Sequence, residues 1–275
     1  MKKLLLFLLF LNFSCKNNDY KNSINKLQKN NYKEIKDKNS NEVYKINAKE
    51  ITKDFKTWNN YNVYNIQLSQ DFIALDIDSS KIDKLTFLKK LKLGNSIPLK
   101  IKMLQGQPTF KLFNSDSKDK DIQNAVIQIA SLEIDHLNME GKILPDFNFT
   151  DINGNNYNKT STKGKLIVLK CWFVNCGVCV KEFPELNKLV EENKKIQNIL
   201  FISLALDSKK DIQNFLKKKE FKYAVVPNAG NYITNKLDIT MYPTHILINS
   251  KGEIIKVVNR IDDLIPFLIK EKLKM

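Results

Sequence analysis

Arginine is almost missing from this 275-residue chain: Arg260 is the only one, although lysine carries the formal net charge to +15. Forked guanidinium groups do much of specific phosphate and base recognition, and here the lysines are scattered along the whole chain beside many Asn and Ile. The charge therefore reads as a compositional bias, and nucleic acid is not an expected partner. Histidine is equally scarce, with only His136 and His245, too few to complete a structural zinc site beside one pair of close cysteines. The apolar run near the start, Leu4 to Leu11, falls far short of the roughly 20 residues needed to cross a bilayer, which excludes a permanent transmembrane helix there. Cysteine is rare, and three of the four (Cys171, Cys176 and Cys179) are clustered, which excludes the disulfide framework of a small secreted scaffold. The cysteines are to be read as chemistry.

What the N-terminus does contain is Lys2 and Lys3, then the apolar run, then Asn12, Phe13, Ser14 and Cys15. This is signal-peptide architecture and predicts export. A cysteine after a small residue at the end of such a run resembles a bacterial lipobox, in which Cys15 is diacylated and becomes the first mature residue. Asn12 stands where Leu is usual, with Leu11 one place further back. The alternative is ordinary cleavage nearby, leaving a soluble exported protein. Residues 1–15 are thus read as signal peptide. Residues 16–41, almost devoid of sizeable apolar side chains, are read as a flexible tether that cannot offset the entropy of ordering.

Residues 42–141 predict a smaller, strand-rich α+β domain. Alternating segments at Val63–Leu68, Phe72–Ile77 and Leu99–Leu104 read as strands, punctuated by Gly94, Pro98, Gly106 and Pro108. A helix is expected over Ser80–Leu91, with Ser80 and Asp83 spaced like a weak capping box. From Asp119 the residues Ile122, Val126, Ile129, Leu132 and Leu137 fall at helical spacing, and Gly141 supplies the stop. His136, alone on that helix, reads as a structural or surface residue. No motif here carries chemistry.

Residues 142–275 change character. An Asn153-Gly154 turn suggests a hairpin, and Leu166–Phe173 is a nearly continuous apolar strand of the buried kind. A helix follows from Cys176 to about Glu192. Then come a strand at Ile199–Leu206, helices at Lys209–Lys219 and Asn231–Leu237, strands at Thr244–Asn249 and Glu253–Val258, and a last helix at Asp262–Lys272. The two closing strands form a hairpin across Ser250, Lys251 and Gly252. The pattern predicts an α/β fold, a central mixed sheet flanked by helices.

Cys176-Gly177-Val178-Cys179 lies where the buried strand gives way to the helix. Unpaired N–H groups and the positive end of the helix dipole stabilise a thiolate there, so Cys176 is the expected nucleophile. Cys179 lies one turn deeper on the same face, near enough to close a disulfide and release a mixed-disulfide product. Cys171, within the strand, reads as a buried small hydrophobe. For Lys170 two readings stand: a cation that favours the Cys176 thiolate, or a strand-end lysine reaching solvent.

The run VLKCWFVNCGVCVKEFPELNKLV, with MYPTHILINSKGEI downstream, resembles the TlpA/ResA-like branch of the thioredoxin superfamily. The resemblance covers about Ile143 to Met275 and implies a thioredoxin-like fold with no cofactor. It implies that Trp172 packs beside the active site and that Glu182 sits behind the disulfide and assists proton transfer, with the helix-bending Pro184 after it. It also implies that Pro243 is a cis-proline opposite the disulfide, and that Tyr242, Pro243 and Thr244 help bind substrate together with Trp172. The chain departs from the pattern in having Asn175 before the first cysteine and Gly177-Val178 between the two.

The function implied is an extracytoplasmic, membrane-anchored oxidoreductase on the periplasmic side of a bacterial membrane. It would act, more as reductant than oxidant, on disulfides of exported proteins and be re-reduced by a membrane thiol donor. Two other classes compete. A thiol peroxidase of the peroxiredoxin type needs a Pro and a Thr or Ser ahead of its cysteine, where this chain has Leu169 and Phe173. A Sco-type copper carrier uses a CxxxC and a distant His, whereas only two residues separate these cysteines.

Overall fold

A computed structural model describes residues 47–104, 106–115 and 119–275. The expected signal peptide, the tether and Cys15 lie outside the described residues.

The first elements are helices. Asn47 caps α1 (Ala48–Ile51), and Asp54 caps α2 (Phe55–Asn65) by accepting from Thr57 N at 2.7 Å. The expected strand at Val63–Leu68 is therefore corrected: its first three residues complete α2, and Ile66 and Leu68 drop into the core from the segment that follows. The apolar alternation was real, but the Asp54 cap upstream set the backbone. Next come β1 (Ile73–Leu75), β2 (Lys81–Ile82) and α3 (Lys84–Lys92). The helix expected from Ser80 starts later, because Asp83 caps Thr86 N at 2.9 Å while the Ser80 hydroxyl and N–H are both held by Asp78. Then β3 (Ser96–Leu104) and β4 (Gln107–Asn114) form an antiparallel pair, joined through Gly106 at φ +78°. These strands make a sheet of order β2-β1-β4-β3, with β1 and β4 parallel. Its core holds Trp58, Phe87, Leu91, Leu99, Phe110 and Val126. The last of these comes from α4 (Lys120–Met139), which packs on α3 and ends before Gly141 at φ +80°.

The remaining chain builds the second sheet. A small hairpin, β5 (Asn148–Thr150) and β6 (Asn156–Asn158), turns at Gly154 and precedes β7 (Leu166–Trp172), which is buried along its whole length. Then follow α5 (Gly177–Lys181), α6 (Phe183–Asn193), β8 (Ile199–Ala205), α7 (Lys209–Leu216) and β9 (Ala224–Val226). After α8 (Gly230–Asn235), β10 (Thr244–Ile248) and β11 (Ile254–Val258) close the sheet, and α9 (Ile261–Lys272) packs back on it. The order is β11-β10-β7-β8-β9, with β7, β8 and β9 parallel and β10 antiparallel to both its neighbours. In this sheet only β9, three residues long, escaped the sequence reading. Apolar clusters cover both faces: one includes Val168, Trp172, Leu186 and Leu264, the other Ile167, Leu169, Ile202 and Ile246. This is the expected thioredoxin-like arrangement, and it puts the β7–α5 junction at the C-terminal end of the central strand.

Candidate functional site

The chain leaves β7 at Trp172 and turns over three residues to Cys176. Asp207 fixes that turn by accepting from Val174 N at 2.7 Å, and Cys176 N donates to Phe173 O at 3.0 Å. Cys176 is the N-cap of α5: its Sγ accepts from Cys179 N at 3.2 Å, one of the donors a helix start leaves open. Cys176 and Cys179 form a disulfide with their Cα atoms 5.2 Å apart. Cys176 keeps 5% of its surface exposed and Cys179 none, so an incoming thiolate meets Cys176 first. Asn175, Gly177 and Val178 are exposed around it.

The helix expected to run unbroken to Glu192 is divided. Pro184 has no N–H and its ring collides with the carbonyl four residues back, so α5 ends at Lys181 and α6 begins at Phe183. Glu182 occupies the break. Its Oε2 accepts from Lys170 Nζ at 2.5 Å and from His245 Nε2 at 3.0 Å, and its Oε1 accepts from Ile261 N at 3.2 Å. Burial works against the charge, but His245 and the Lys170 ammonium overcome it and hold the carboxyl down at about 2. Burial lowers Lys170, which Glu182 opposes; the close contact keeps the pair ionic. Burial and Lys170 also lower His245, leaving a neutral ring that donates through Nε2. Among the described residues its Nδ1 has no hydrogen-bond partner.

Lys170 is fully buried, which removes the reading of a strand-end lysine reaching solvent. His245 was not singled out as a site residue from the sequence. It lies opposite Lys170 across the β7–β10 ladder, a relation between residues far apart in the chain that no local motif announces.

Trp172 shares an apolar cluster with Cys176 and Cys179, its ring centroid 5.1 Å from that of Phe183 and 5.6 Å from that of Phe221. It is completely enclosed, however, so its expected contact with substrate is corrected: a residue with no exposed surface acts as packing here. Thr244, at 1% exposure, is likewise internal, and its hydroxyl donates to Met241 O at 2.7 Å. The Tyr242-Pro243 peptide is cis, and Asn259 Nδ2 donates to Pro243 O at 2.7 Å. Tyr242 is half-buried and meets Phe173 edge to face at 5.5 Å. Cys171 is buried on the opposite sheet face, its thiol pushed up to about 12 by burial. Among the described residues no group of His, Cys, Asp and Glu is placed to hold a metal ion, and no helix is long and apolar enough to cross a membrane.

Known proteins resemble part of this chain. The AhpC/TSA family model matches residues 141–257. The thiol-disulfide oxidoreductase ResA of Bacillus subtilis is 31% identical over 120 residues, which cover 43% of this chain and 66% of that one, just under two thirds of its length. The ResA of Bacillus thuringiensis subsp. konkukian is 30% identical over 119 residues, covering 43% of this chain and 68% of that one. Among solved structures, the thioredoxin domain of a thiol-disulfide oxidoreductase from Bacteroides vulgatus aligns with a TM-score of 0.42 and 24% identity, over 48% of this chain and 96% of that one.

Proposed function

Since the chain belongs to the ResA family of thiol-disulfide oxidoreductases, we propose that it exchanges the Cys176–Cys179 dithiol and disulfide with disulfides of exported proteins, acting as the reductant. The observation that carries this is the disulfide at the start of α5, in which Cys176 keeps a little exposed surface and Cys179 has none. In the dithiol form, the Cys176 thiolate attacks a substrate disulfide, one substrate sulfur leaves as thiolate, and a mixed disulfide remains. Cys179 then loses its proton and attacks Cys176 Sγ. The internal disulfide closes and the second substrate sulfur departs, so two electrons have passed to the substrate. The half-buried Tyr242, held by the cis bond to the buried Pro243, offers its backbone to an extended substrate segment, which pairs with it as an added strand. A membrane thiol donor restores the dithiol. Cys15, once lipidated, holds the protein at the membrane outside the cytoplasm.

The test is redox titration. The protein is equilibrated in dithiothreitol or glutathione buffers and the Cys176–Cys179 dithiol is counted by alkylation and mass. A potential near that of thioredoxin, about −270 mV, supports the reductant, and one near about −120 mV makes it an oxidant. Failure to form a reversible disulfide at any potential sinks the reading. Palmitate labelling lost in Cys15→Ala tests the anchor; an unlabelled wild type overturns it.

A further inference from the structure

Glu182 is the acid that the family resemblance assigns to proton transfer, yet in this chain its surroundings suit another task. Its two oxygens accept three donors, Lys170 Nζ at 2.5 Å, His245 Nε2 at 3.0 Å and Ile261 N at 3.2 Å. Two of them come from one rung of the sheet, because Lys170 and His245 are Cα partners across β7 and β10, and both side chains have 0% exposure. A proton on Oε2 would set an O–H against the Nζ–H and Nε2–H groups already pointing at it. It would also leave the Lys170 ammonium buried without a counter-charge, a costly state. The other ionisable groups near Glu182 do not relieve this. Glu185, raised by burial and by Asp262, and the buried Tyr223 phenol add no positive charge.

Resting on the exchange reading above, we propose that Lys170 and His245 are positioning residues that make Glu182 a fixed carboxylate, ionised whether the disulfide is closed or open. Glu182 then does not carry the proton of Cys179. Reduction by dithiothreitol adds two electrons, breaks the Cys176–Cys179 bond and adds two protons. Those protons go to the sulfurs from the reductant thiols and water, and none is parked on Glu182.

Infrared spectra of the full chain, recorded between about pH 5 and 8 in the oxidised and the dithiothreitol-reduced state, read the claim directly. A protonated carboxyl gives a carbonyl band distinct from that of a carboxylate, and its loss in Glu182→Gln assigns it. The wild type is expected to show no Glu182 band in either state; a band in either state that is lost in a folded Glu182→Gln, or shifted in a folded Glu182→Asp, would overturn the proposal. In Lys170→Gln the band should grow in within this range and vanish again in Lys170→Gln/Glu182→Gln, and its absence from a folded Lys170→Gln would remove Lys170 from the role. His245→Leu should move the onset toward neutral pH, and His245→Gln, which keeps an N–H donor, should restore it. Equal onsets in those two variants would remove His245. Alkylation and mass report the disulfide separately. A protein that never forms it fails the exchange reading, whereas a Glu182 band in a protein that cycles normally fails this one.

Discussion

Glu140, the residue that ends α4, receives Lys256 from β11: Nζ stands 2.9 Å from Oε1, and the same oxygen accepts from Val257 N at 3.2 Å. The long helix of the first sheet is thereby fixed to the edge strand of the second. Gln70 adds a bond to Asp263 O at 2.7 Å, at the start of α9. This seam is rich in buried ionisable groups. Burial raises Glu133 to about 7 and, with Lys256 and Lys84 adding repulsion, lowers His136 to about 4.

Those two shifts predict opposing pH slopes. His136 stays neutral in the folded chain while the unfolded chain takes up a proton below about 6.5, so its contribution is present at neutral pH and is lost as pH falls toward 4. Glu133 keeps its proton in the folded chain while the unfolded chain gives it up above about 4.5, so its contribution is present at low pH and is lost as pH rises through 7. Between about 4.5 and 6.5 the two nearly cancel. In His136→Gln the Glu133 slope is still opposed by the lowered His245, so the comparison is with His136→Gln/Glu133→Gln: between about pH 4.5 and 7 stability from urea denaturation should fall more steeply, or rise less, when Glu133 is present. Parallel profiles in those two variants would show that Glu133 is not held protonated.

Breaking the buried ion pair should be costly. Lys170→Met leaves the Glu182 carboxylate with its neutral donors only, and losses of about 3–5 kcal/mol are typical when one partner of a buried pair is removed. Replacing both partners, as in Lys170→Met/Glu182→Leu, should recover much of that loss, because neither charge is then left alone. Chemical denaturation of the two single variants and the double variant checks this. A double variant less stable than both singles would contradict it.

Much of this site was legible in the sequence, and the reasons are local. The buried strand through Leu166–Trp172, the cysteine pair at its end and Pro184 beyond it are each determined by neighbours within a few positions. The cis peptide before Pro243 came from family resemblance, since no local rule favours it. Lys170 kept two readings in the sequence for a physical reason: sequence shows its charge but not its partners, and a long stem can snorkel to solvent as readily as it can pair inside. Here the partners arrive from the α5–α6 break and from β10, and only the assembled sheet brings them together. Val63–Leu68 failed in the opposite way, a period-two pattern overruled by a cap nine residues earlier at Asp54.

The trapping experiment separates the three cysteines of the fold. Of the pair only Cys176 keeps exposed surface, so Cys179→Ser should accumulate a mixed disulfide through Cys176 when offered a disulfide-bonded protein, and multiple turnover should cease. Cys176→Ser should capture nothing, because Cys179 has no exposed surface from which to attack. Cys171, buried and with its thiol pushed up to about 12, should stay unalkylated by iodoacetamide in the native protein and react only in denaturant. Peptide mapping of the captured complex distinguishes these outcomes. A substrate linked to Cys179 or Cys171 would reverse the order of attack drawn from the burial of the three sulfurs.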